Sequence, residues 1–228
     1  MRLALLSVAL LAVTVAAETP PAEAGPMLRF TSTTANVTGA PDSIRIDLFR
    51  WSTEAERDTL MAAWDLKSTP AARGGRGGTG GAARGAGRGR AGANAGRGAA
   101  PEVTITPEAA LARVLKEAPT VGYVWSSEAA GYAVRYAGKT ALPGGSERIV
   151  IITDRRLGDV NGLWRSPDRA APAPYDFSII ELHLDAKGAG EGKLSLGEIA
   201  PDAAAGIVTL ANYDSLPVVF TGLKRATK

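Results

Sequence analysis

The chain has 228 residues, no cysteine, a single histidine and a formal charge of +3. The lack of cysteine excludes a disulfide scaffold, thiolate metal ligation, a thiol nucleophile and a lipid anchor attached through cysteine. The positive charge is local. Setting aside Arg2 and the six arginines of residues 71–100 leaves 19 basic against 23 acidic side chains, so the remainder is mildly acidic.

Arg2 opens an uncharged run over residues 3–17, and Val15 and Ala17 place small residues three and one positions before Glu18. This is the pattern of a cleavable secretory signal with cleavage after Ala17, and it predicts a secreted or periplasmic protein. The 15-residue run falls short of the roughly 20 apolar residues of a spanning helix. No other stretch approaches that length, so no transmembrane segment is expected in the mature chain. Residues 18–26, rich in Pro, Ala and Glu, read as a flexible leader, and 27–228 as a single β-rich domain.

The spacing predicts a first strand over 27–37 and a second over 43–51. In the second, Ile44, Ile46 and Leu48 alternate with Arg45 and Asp47, the mark of a half-buried strand. Thr53 and Glu56 then form a capping-box pair, and Leu60, Met61 and Trp64 continue at helical spacing, predicting a helix over 53–66.

Residues 71–100 hold 12 Gly, 10 Ala and 6 Arg, with no acidic or large apolar side chain. That composition buries too little apolar surface to offset the entropy of ordering, so 68–101 is expected to be a disordered insert. Arg73, Arg76, Arg84, Arg88, Arg90 and Arg97 are its candidate contacts to polyanions. The insert has no aromatic residue on which a base could stack, and specific nucleic-acid binding is not expected. Beyond it, Thr106-Pro107 caps a second helix. Ala110, Leu111, Val114, Leu115 and Ala118 give that helix one apolar stripe, and Pro119 stops it.

Strands follow at 121–125 and 131–136, then at 148–154, where Ile149 to Ile152 predict burial on both faces. A loop over 155–174 carries Trp164 and leads to the longest expected strand, 175–185. A Gly-rich hairpin at 187–192 leads into a strand over 193–199, and strands at 207–212 and 218–224 complete the set. The short connections favour antiparallel pairing. The fold class is therefore α+β, mainly antiparallel β: eight or nine strands as a sandwich or open barrel, with two helices inserted after the second strand.

Candidate chemistry is sparse. On the 175–185 strand, Ile180, Leu182 and Leu184 share one face while Glu181, His183 and Asp185 share the other. Two carboxylates flanking an imidazole are candidate ligands for a divalent metal. A solvent-facing polar stripe explains the same pattern, and no cofactor is expected. No phosphate-binding loop, nucleophile elbow or zinc-protease helix is present. Trp51, Tyr123, Trp125, Tyr132, Tyr136 and Trp164 are candidate walls of a ligand cavity, with core packing as the commoner use of such residues.

Four segments resemble those of a family of uncharacterised exported proteins from acidobacterial-type environmental bacteria. They are IDLFRWSTEAERDTL at 46–60, residues 119–158, YDFSIIELHLDAKGAGEGKLSL at 175–196 and TLANYDSLPVVFTGLK at 209–224. The resemblance implies a bacterial origin and relatives whose two helices nearly adjoin. It implies no activity and no site residue. The expected function is non-catalytic binding of a small apolar ligand, an envelope component or a protein partner. A metal-dependent enzyme using Glu181, His183 and Asp185, and weak polyanion binding through the insert, stand as alternatives.

Overall fold

The computed structural model describes residues 25–65, 105–126, 131–158, 164 and 173–226. The expected secretory signal, the expected leader up to residue 24 and the expected Arg/Gly insert lie outside these described residues. No described helix is long and apolar enough to cross a membrane.

In chain order the elements are β1 (Leu28–Thr34), β2 (Ser43–Leu48), α1 (Glu54–Trp64), α2 (Pro107–Glu117), β3 (Gly122–Trp125), β4 (Gly131–Ala141) and β5 (Glu147–Thr153). They continue as β6 (Ile179–Leu184), β7 (Ala189–Leu194), β8 (Ile199–Asp202), β9 (Ile207–Leu210) and β10 (Phe220–Arg225). Eight strands form a closed antiparallel barrel in the order β1-β10-β7-β6-β5-β4-β3-β2, and β8 with β9 forms a separate two-stranded sheet. The mainly antiparallel fold with two helices after the second strand is thus present. The sheet closes completely: β1 pairs with β2 on one side and with β10 on the other. Closure leaves the barrel wall without an edge strand.

Alternation along each strand decides what faces inward. Phe30, Ile44, Ile46, Leu48, Val124, Val134, Ile149, Ile151, Ile180, Leu182, Leu184 and Phe220 belong to one buried cluster. An eight-stranded barrel is just wide enough for such side chains to fill. Trp164 joins this cluster, its ring 6.1 Å from Phe220 and its amide donating to the Thr38 carbonyl.

A second core lies outside the wall. Val150, Ile152 and Ile179, whose strand neighbours face inward, pack with Leu60, Leu111, Leu115, Phe177, Ile207, Val208 and Leu210. The helices and the β8–β9 hairpin therefore cover one side of the barrel. This cover explains why β5 reads as continuously apolar.

Several boundaries differ from those expected. The longest strand is β4, with 11 residues, not the strand ending at Asp185, which begins only at Ile179. The expected hairpin at 187–192 and strand at 193–199 become a tight turn at 185–188 followed by β7. Asp185 Oδ1 accepts the amides of Lys187 and Ala189, and Gly188 takes a φ of +78°, which fixes the turn early. Residues 199–202 form the additional strand β8, paired with β9.

Candidate functional site

Two polar assemblies stand on the outer wall. The first lies on β5, β6 and β7, where register places Val150 and Lys193 on either side of Glu181, and Arg148 and Glu191 on either side of His183. Glu181 is only 1% exposed, with Arg148 Nε at 2.6 Å and His183 Nε2 at 3.0 Å from its Oε1. Arg148 also reaches Asp202 of β8 at 2.8 Å, so one guanidinium links the barrel wall to the covering hairpin. Burial works to raise the Asp202 carboxyl, but hydrogen bonds from Arg148 and from the Ala205 and Ala204 amides hold it below its ordinary value.

The ring of His183 stacks on Tyr213 at 4.1 Å, and Lys193 Nζ sits 4.2 Å from the Tyr213 ring centre while donating to its carbonyl at 2.9 Å. Burial, with Glu181 and Glu191 nearby, pushes the Tyr213 phenol well above its usual range. Of the three expected metal ligands, Glu181 and His183 meet. Asp185 does not join them, because its carboxylate is engaged with the turn amides of residues 187 and 189. Among the described residues no group of three or more His, Asp or Glu side chains is placed to hold a metal. What the assembly does chemically is clamp the β8–β9 hairpin and the Tyr213 turn to the wall.

The second assembly is a shallow groove of about 490 Å³ crossing β10, β1, β2 and β3, lined in part by Thr31, Thr33, Ser43, Arg45, Trp125 and Lys224. Strand alternation produces it: Thr31, Thr33 and Arg45 are the outward residues between the inward Phe30, Ile44 and Ile46. Gly222, in the left-handed region at φ +59°, sits where β10 slips register against β1 and contributes no side chain to the floor.

Around Trp125 the packing is close. Arg45 and Gly131 are its direct partners on β2 and β4. The Arg45 guanidinium lies 5.3 Å over the indole, and the Tyr123 ring is also 5.3 Å away. A Cβ at Gly131 would lie 3.0 Å from the indole, a tight contact that would push the ring outward by a few tenths of an ångström. The indole Nε1 is withdrawn from solvent and has no hydrogen-bond acceptor among the described residues. Next to Arg45 on the outward face of β2, the 5% exposed Asp47 accepts Arg29 at 2.6 Å and Arg45 at 3.1 Å.

No protein-family model, curated protein or solved structure matches this chain. The site is therefore read from its own geometry.

The six candidate cavity aromatics occupy three surroundings. Tyr132 and Trp164 are in the barrel core, with Trp51 packed against it. The Tyr132 hydroxyl accepts the Gly158 amide at 3.0 Å. Tyr136 belongs to the outer core, where burial raises its phenol. Tyr123 and Trp125 lie on the outer wall beside Phe49, which is 46% exposed. They do not share one cavity. The candidate arginines of the insert lie outside the described residues.

Thr31, Thr33, Ser43, Arg45 and Lys224 were not singled out by sequence reasoning. Alternation marks their outward direction, but their meeting depends on the two ends of the chain pairing. Thr33 Oγ1 and Thr221 Oγ1 lie 2.8 Å apart across 188 residues of sequence.

Proposed function

We propose that this chain is an exported, non-catalytic binding domain that recognises an envelope component on the outer wall of its barrel. The observation that carries the reading is the contrast between inside and outside. The interior is lined by large apolar side chains, whereas the β10-β1-β2-β3 groove presents hydroxyls and two cations beside an indole ring. The large buried side chains that cluster inside the barrel favour its outer wall over its interior as the place for a ligand. The signal-like residues 1–17 support export and a bacterial envelope setting.

The metal-dependent alternative has one contact in its favour, Glu181 to His183, but the same carboxylate oxygen is held by Arg148. The groove is the better supported site. The test is cosedimentation of the purified mature protein with washed bacterial envelope fractions. Saturable binding that falls about tenfold or more in Trp125→Ala is expected, a change of about 1.4 kcal/mol. Absence of saturable binding, or binding indifferent to Trp125→Ala in a variant with unchanged circular dichroism, overturns the proposal.

A further inference from the structure

Resting on the outer-wall reading, we infer that the ligand of the β10-β1-β2-β3 groove is an acidic polysaccharide, held through carboxylate and hydroxyl groups of its sugars. The chemistry of the lining leads there. Arg45 and Lys224 are its charged members, and none of the lining residues is acidic. Lys224 is exposed. Arg45 uses its Nε on Asp47, which fixes the guanidinium while its other nitrogens make no described hydrogen bond. Asp47 is shared with Arg29, so two guanidinium charges are balanced by one carboxylate on the outward face of β2. The site is thus cationic in an otherwise mildly acidic domain, and an anion is its electrostatic complement.

The remaining groups narrow the class. Thr31 and Ser43 bring hydroxyls that both donate and accept, a match for the hydroxyls of a sugar, while the Thr33 hydroxyl is engaged with Thr221. A single nucleic-acid strand would need a free aromatic face for its bases. The Trp125 ring is instead packed among Arg45, Tyr123 and Gly131, and no second ring lines the groove. An acidic peptide would need apolar subsites for its side chains, and the lining other than Trp125 and Ile44 is small or polar. A volume of about 490 Å³ falls within the range of about 300–1,000 Å³ typical of small-ligand sites. The groove is open along the wall, which suits a short stretch of a longer chain.

The test is isothermal titration of the intact mature protein at low salt with polygalacturonate, with its methyl ester, with polyglutamate and with single-stranded DNA. Polygalacturonate should bind, esterification should weaken it about tenfold or more, and 0.5 M salt should reduce it further, because exposed charges are screened. Lys224→Glu and Arg45→Gln should each lower the affinity at least fivefold. Lys224 is exposed, so its variant keeps the fold even if Arg45→Gln does not. Equal binding of the methyl ester overturns the inference, as does preference for polyglutamate or DNA. Polygalacturonate binding that Lys224→Glu leaves unchanged overturns it too, since the contact then lies elsewhere, for instance on the arginines of residues 71–100. No binding to polygalacturonate beside Trp125-dependent envelope binding removes the acidic glycan and leaves the binding domain. Loss of both removes the outer-wall reading as well.

Discussion

Glu181 is almost wholly withdrawn from water, and the cation nearest to it, Arg148, is itself 13% exposed and also holds Asp202. Burying a charged carboxylate is costly, and the guanidinium at 2.6 Å offsets that cost. Removing one partner of a buried pair is far more damaging than removing both. Arg148→Ala is therefore expected to destabilise the protein by about 3–5 kcal/mol. The double replacement Arg148→Met with Glu181→Leu should recover most of that loss. Urea unfolding of the two single variants and the double variant measures the coupling directly. A loss below about 1 kcal/mol in Arg148→Ala would mean the pair behaves as an exposed one, contrary to its burial. The same residues show why this site was only half legible. The i, i+2 spacing of Glu181 and His183 places them on one face from sequence alone, but Arg148 and Asp202 arrive from β5 and β8, one of which has no sequence signal strong enough to mark it as a strand.

At the scale of the element, α1 is the segment whose local rules were complete. The Thr53 hydroxyl accepts the Glu56 amide and the Glu56 carboxylate accepts the Thr53 amide, so the capping box forms as its four residues specify. Arg50 adds two contacts to Glu56 at 2.7 and 2.8 Å. These Arg50 hydrogen bonds, followed by those of Thr53 and opposed by partial burial, bring the Glu56 carboxyl down to about 2 from an ordinary 4.5. Because the folded value is the lower one, the unfolded chain binds more protons between pH 4.5 and 2. The stabilisation is present in full above pH 4.5 and is lost as the pH falls towards 2. Arg50→Ala should flatten this part of the acid limb, read as the pH dependence of the urea midpoint. An acid limb identical to that of the unaltered chain would show that the contacts to Glu56 are too exposed to matter. β7 is the opposite case. Its glycines read as loop residues, yet a Cβ at Gly190 would strike the His183 carbonyl, and one at Gly192 would strike Leu182 and Phe220. They are strand glycines required by close approach, and composition alone does not distinguish the two uses.

Across the whole molecule, the inward positions follow from period-two alternation, and the helical pair follows from capping and stripe. Closure does not, because it depends on β10 meeting β1 from the far end of the chain. The groove depends on the same meeting, so no local pattern revealed it. Closure also decides how much room the barrel leaves inside, and Gly192 tests that room. It sits on β7 opposite Leu182 and Phe220 of the flanking strands. A Cβ there would lie 2.5 Å from a Leu182 methyl, 3.0 Å from the Phe220 ring and 3.2 Å from the Phe220 Cβ. The methyl can rotate aside; the Phe220 Cβ is fixed by its backbone. Gly192→Val should therefore cost about 1–3 kcal/mol through overpacking. In a domain of this size that lowers Tm by about 2–4 °C for each kcal/mol, measured by calorimetry. Adding Phe220→Leu makes space and should return part of the loss. An unchanged Tm in Gly192→Val would reveal slack inside the barrel, and the case for recognition on the outer wall rather than within would lose its main support.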